Sequence, residues 1–181
     1  MIIKALMTYQ ESIIARLKDS DNWPIHQRPD FLSKLDEMAD DAFILASERD
    51  CIASVLIYQQ LIEELLKTLL QSANFLMQAQ LLPFEISVNE TKNQMFGRLI
   101  EDFKTTISVP NRYGLIDIAN RVNQKRIEIA HGLTKKESLS DLLEIALSVR
   151  NDFEKFFPLY SESIDWTRIC LNGLKKDIED D

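Results

Sequence analysis

Apolar residues recur at intervals of three and four along most of the chain, the spacing of amphipathic helices. The pattern predicts helices over 1–18, 31–48, 50–82, 91–107, 111–131, 138–157 and 161–176. Proline and turn-forming residues interrupt it at 19–30 and 82–90. We therefore expect an all-α protein, an up-and-down bundle of four to six main helices with short additional helices.

Individual residues predict where some of these helices begin and end. Asp50 is placed to cap the long third helix. Gly132 is suited to the left-handed conformation that closes a helix, and Pro158 is expected to end the sixth helix. The phenylalanines just before that proline are expected to lie in the core: Phe153, Phe156 and Phe157.

Length and composition indicate one domain. A chain of 181 residues, 45% hydrophobic and 28% charged, can fill a single core. Only 4 Gly and 5 Pro are present, which disfavours a turn-rich β-sandwich. We expect residues 31–157 to form the core bundle, with the helices at 1–18 and 161–176 added to it.

The remaining composition predicts a cytoplasmic protein that uses no membrane, metal or cofactor. The sequence contains two cysteines, and we detect neither a signal peptide nor a long uncharged apolar run. It also lacks the linear motifs of phosphate loops, zinc sites and serine hydrolases. The net charge of −8 repels nucleic-acid backbones unless a local basic patch exists.

One segment, residues 111–136, is basic within this acidic chain. It contains six basic and two acidic residues, a balance of +4, against −12 for the rest of the chain. Surface arginines and a favourable interaction between lysines and the helix C-terminus would explain this charge without any function. A phosphate-binding surface is the alternative.

Within this segment, Arg126-Ile-Glu-Ile-Ala-His131-Gly132 places an Arg and a His five positions apart near a predicted helix end. The chain here resembles the HEPN superfamily, helical bundles whose signature is an Arg followed four to six residues later by His. The helix around 61–67, with its acidic residues, and the segment 96–100 resemble the helices that precede this motif in the family. The resemblance covers roughly residues 31–157.

The resemblance implies a metal-independent endoribonuclease, active as a homodimer, in a toxin–antitoxin or defence system. RNA and an antitoxin or other protein would then be its partners. RNA cleavage by the 2′-hydroxyl needs a base, an acid and a cation at the phosphate. His131 and Arg126 are the candidate catalytic residues. The candidate binding residues around them are Asn123, Lys125, Glu128, Arg121 and Lys135.

A helical wheel of the fifth helix gives two apolar facets. Leu115, Ile118, Val122 and Ile129 form the expected core side. A second facet contains Ile116, Asn123, Ile127 and His131. Either another helix of the same chain or a twofold partner would cover it.

Two other functions stay open. The family usually places a polar residue after the motif Arg, and Ile127 stands there instead, which favours a catalytically inactive HEPN-like regulatory or protein-interaction module. Such a protein would resemble the mannitol operon repressor group. A small-molecule regulator is the third possibility, because a pocket between bundle helices leaves no linear motif.

Overall fold

The computed structural model describes residues 8–24, 29–88, 95–105, 108–132 and 139–180, and these residues form six α-helices and no strand. The all-α prediction is confirmed. A short 3₁₀ helix, Ser20–Asn22, follows the first α-helix. The α-helices are α1 (Tyr9–Lys18), α2 (Pro29–Leu45), α3 (Glu48–Gln80), α4 (Phe96–Thr105), α5 (Arg112–Gly132) and α6 (Leu139–Asp180).

Two long helices organise the bundle. The 33-residue α3 and the 42-residue α6 pack along each other, α2 packs on α3, and α5 packs against both. The short α4 lies against α3 and α5, while α1 contacts α3 and α6. The main core lies where α2 to α6 meet, and a second cluster joins α1 to the C-terminal halves of α3 and α6 around Trp23.

The junction between α2 and α3 differs from its prediction. The helix α2 ends at Leu45 rather than at Glu48, because Ala46 has a left-handed φ of 52°. Ser47 then caps α3, and its hydroxyl accepts the Asp50 backbone N–H at 3.3 Å. The prediction that Asp50 is the cap is therefore wrong, because Asp50 is already inside the helix.

The predicted helix break at Pro158 is also wrong, because α6 continues through it to Asp180. Proline has no N–H, so it leaves the carbonyl of Glu154 without its usual helical donor. Pro158 is exposed, which gives solvent access to this side of the helix. The core face of α6 is buried on both sides of the proline at Phe153, Phe156, Tyr160 and Ile164.

Other predicted boundaries agree or fall outside the described residues. The fifth helix runs through Gly132, one residue past the predicted end. None of the described glycines has a positive φ, so the prediction that Gly132 closes this helix in the left-handed conformation is wrong. Residues 1–7 and Ser138 lie outside the described ranges, as do 91–94, 106 and 107 at the ends of the predicted fourth helix. Among the helices described, none is both long and apolar enough to cross a membrane.

Candidate functional site

The helix α5 carries both motif residues, and its core face is the predicted one. The stripe of Leu115, Ile118, Val122 and Ile129 is buried, with exposures of 5% or less. Because α5 is helical without interruption from Arg112 to Gly132, Arg126 and His131 stand about 140° apart around its axis. Within one chain, the two side chains therefore leave the helix on different sides.

His131 lies in the last turn of α5 and is exposed. Among the described residues, its imidazole forms no hydrogen bond or ion pair. This histidine is therefore not a buried packing residue, and its ring is accessible to a ligand.

On the helical wheel Arg126 lies between Leu115 and Ala119, which are both fully buried, so its side chain leaves α5 on the core side. Its side chain is half-buried. The Nε atom is sealed from solvent and has no hydrogen-bond partner in the described part of the chain. A buried donor without a partner calls for an explanation, and a bound anion is one. The Nε atoms of Arg112 and Arg150 are two further donors of this kind in the described residues.

The second facet of α5 is partly covered by the same chain. The helix α4 packs against α5, and the amide nitrogen of Asn123 lies 3.7 Å from the position that a Cβ on Gly97 would take. Ile116 is 9% exposed and Ile127 is half-buried. Asn123 Oδ1 is sealed and, like Arg126 Nε, has no partner in the residues described. The facet is therefore covered near Asn123 and open at His131.

Arg121, a predicted binding residue, is held by carboxylates of its own chain. Its Nη2 lies 2.7 Å from Oδ1 of Asp152 on α6, and its Nε donates to the same carboxylate at 3.1 Å. Asp117 binds the guanidinium from the preceding turn of α5. The hydrogen bond to Asp152 is the main cause of the raised pKa of Arg121. Arg121 thus links α5 to α6. Only the folded structure reveals this role, because Asp152 lies on a different helix.

The groove beside Arg121 is not a basic channel. It lies between α5 and α6, has a volume of about 550 Å³, and is lined by three cations and three carboxylates. Lys125 belongs to this lining and also pairs with Glu128, at 3.4 Å. The charged residues of the groove are Arg121, Lys125, Lys155, Asp117, Glu144 and Asp152. The positive charge of the segment is therefore balanced locally at these positions.

We expect Arg121→Ala to lower the free energy of unfolding by about 1–2 kcal/mol, since it leaves the buried Asp152 carboxylate without its cation. This expected loss of stability is modest because the Arg121 side chain is 44% exposed. Urea denaturation followed by circular dichroism measures the loss. Lys125→Ala is the matched control, since its partner Glu128 is exposed, and it should cost less than about 0.5 kcal/mol. Equal stabilities for the two variants would contradict the structural role of Arg121.

The remaining predicted residue, Lys135, lies outside the described ranges. Within those ranges, no group of three or more His, Cys, Asp or Glu side chains is placed to hold a metal ion. Compared with known proteins, the chain matches no family model, no curated protein and no solved structure. Its own side chains are therefore the basis for assigning a function.

Proposed function

We propose that the protein is a metal-independent endoribonuclease that acts as a homodimer, with His131 and Arg126 at the site of cleavage. One observation carries this proposal: in the second half of α5, these two side chains are uncommitted, whereas Arg121 and Lys125 are bound to carboxylates. Arg112 Nε also has no partner among the described residues, but it lies at the opposite end of α5. A guanidinium without an internal partner is available to a phosphate. The Arg-x4-His spacing and its resemblance to the HEPN signature support the same function.

In the proposed reaction, the 2′-oxygen of a ribose attacks the adjacent phosphorus and the bond to the 5′-oxygen breaks. A base accepts the 2′-hydroxyl proton, and a protonated His131 donates a proton to the leaving 5′-oxygen. Arg126 balances the charge that builds up on the phosphate oxygens. The products are a 2′,3′-cyclic phosphate and a free 5′-hydroxyl.

The positions of Arg126 and His131 around α5 mean that this proposal requires a second copy of the chain. Arg126 and His131 of one chain lie about 140° apart around α5, so a single chain aims only one of them at a given phosphate. A twofold partner would supply the other, and it would also supply a second His131 as the base. The open end of the α5 facet, at His131, is the expected contact.

The test is cleavage of a mixed RNA substrate in EDTA by the wild-type protein and by His131→Ala and Arg126→Ala. We expect each variant to lower the cleavage rate at least about 100-fold, with cyclic-phosphate ends on the wild-type products. Arg49→Ala is the charge-matched control. Arg49 lies on α3, far in sequence from the α5 residues, and its side chain is 90% exposed. Sedimentation should show a wild-type dimer. Cleavage that is unchanged in both variants would refute the proposal.

A second candidate is the catalytically inactive, HEPN-like interaction module. Two features favour it: Ile127 replaces a polar residue beside Arg126, and the α5–α6 groove carries balanced charge rather than a basic track. A correctly folded wild-type dimer that cleaves no RNA at low or high ionic strength would favour this candidate over the nuclease.

A further inference from the structure

A second cavity lies on a different part of the bundle, where α2, α3 and α6 meet. Its volume is about 370 Å³, within the size range of small-molecule sites. None of the α5 residues discussed above lines it. No sequence motif marks this cavity, because its lining comes from three helices that are distant along the chain.

The walls of the cavity are apolar and aromatic. The helix α6 contributes Phe153, Phe157 and Tyr160, which share one face at spacings of four and three residues. Phe157 is central to this row, with ring centroids 6.3 Å from Phe153 and 6.4 Å from Tyr160. It is also 51% exposed, so its prediction as a core residue is wrong. Burial raises the pKa of Tyr160 to about 12, which keeps its phenol neutral at pH 7.

The charged residues that line the cavity are Asp36, Asp165 and Arg168, which leave a net charge of −1. Asp165 and Arg168 neutralise each other at 2.9 Å. Asp36 on α2 also lines the cavity and forms no hydrogen bond or ion pair with any described residue. The nearby cation is committed elsewhere, because Arg150 Nε lies 3.0 Å from Asp40, which also accepts the Tyr58 hydroxyl at 2.5 Å.

The surroundings of Asp36 make a cationic partner favourable. Partial burial and, after it, the negative charge of Asp40 raise the pKa of Asp36, and the positive charge of Arg150 offsets only part of this shift. Both effects disfavour the charged form of the Asp36 carboxyl group. The positive charge of a cation bound beside it would offset both. Aromatic faces attract cations as well, through the negative charge of their π-systems.

We propose that this cavity binds a small organic monocation with an apolar body, its ammonium group beside Asp36 and its body against Phe153, Phe157 and Tyr160. The charge of the lining disfavours an anion, because a carboxylate or phosphate ligand would face Asp36 without a free cation in the described lining. A directly coordinated metal ion needs several oxygen ligands, and no group of three or more His, Cys, Asp or Glu side chains in the described residues is placed to hold one. The site is independent of the proposed ribonuclease activity.

The probe is benzyltrimethylammonium, titrated into the full-length protein by isothermal calorimetry. We expect binding of one ion per chain, with benzyl alcohol and benzoate binding at least about tenfold more weakly, because they lack the positive charge. Asp36→Asn should weaken binding of the probe at least about tenfold, and so should Phe157→Ala. Phe157 is half-exposed, so this variant is expected to fold, and circular dichroism checks it.

Asp41→Asn is the matched control, since Asp41 is an exposed aspartate on the same helix and does not line the cavity. It should bind the probe like the wild type. The proposal is overturned if the probe does not bind, if benzoate or benzyl alcohol binds equally well, or if Asp36→Asn and Asp41→Asn behave alike. Because the two sites are separate, these substitutions should leave the rate of RNA cleavage unchanged.

Discussion

Phe156→Ala is expected to lower the free energy of unfolding by about 4 kcal/mol, the largest loss among the substitutions considered. Phe156 is fully buried in the main core, on the face of α6 that meets the other helices. Its ring stacks near Tyr160, with centroids 6.5 Å apart. Truncation removes the ring from the core and leaves a cavity that a long, constrained helix cannot close. Urea denaturation followed by far-ultraviolet circular dichroism measures the loss.

The adjacent residue provides the control. Phe157→Ala removes the same ring from the next position of the same helix, but Phe157 is 51% exposed. We expect a loss of about 1–1.5 kcal/mol, because only about half of the ring surface is removed from the interior. Similar losses at the two positions, or a larger loss at Phe157, would mean that α6 presents a different face to the core.

The second large effect is a gain. Pro158→Ala is expected to raise the free energy of unfolding by about 2 kcal/mol, because Pro158 lies inside the continuous helix α6. Alanine restores the backbone N–H that can donate to the carbonyl of Glu154, and it removes the proline ring from that turn. The greater freedom of the unfolded chain offsets part of the gain. The same denaturation experiment measures it.

Pro110→Ala serves as the comparison, because Pro110 lies in the turn before α5 rather than inside a helix. Its substitution should give no gain and a small loss, below about 1 kcal/mol, since the turn loses a rigid residue. If Pro158→Ala also lowered the free energy of unfolding, the result would indicate two separate helices that meet at the proline. It would contradict the continuous α6.

Much of the fold was predictable from local pattern. The long run of buried residues in α3, the limits of α5 within a residue or two, and the core stripe of α5 all follow from apolar spacing at three and four residues. This works because the side of a helix that meets the core is set by residues close together in the sequence. The candidate pair Arg126 and His131 could also be chosen from the sequence, since its spacing lies within one helix.

The partners of those residues could not be predicted in the same way. Arg121 had the residue type of a phosphate ligand, and only the approach of α6 shows that Asp152 holds it. Two of the sealed atoms without partners, on Asn123 and Arg126, depend on how α4 and the core pack over α5. Such contacts join segments tens of residues apart, so no local pattern encodes them.

The sequence by itself determined that this protein is helical, which face of α5 is apolar, and that an Arg-x4-His pair ends this helix. The tertiary structure alone decided that α6 continues through Pro158, that Phe157 lies outside the core, and that Asp36 lines the same cavity as an aromatic row. The physical reason is the range of the interactions. Helix formation and amphipathicity depend on neighbours within a turn or two, whereas burial, ion pairing and cavity shape depend on which distant helices pack together.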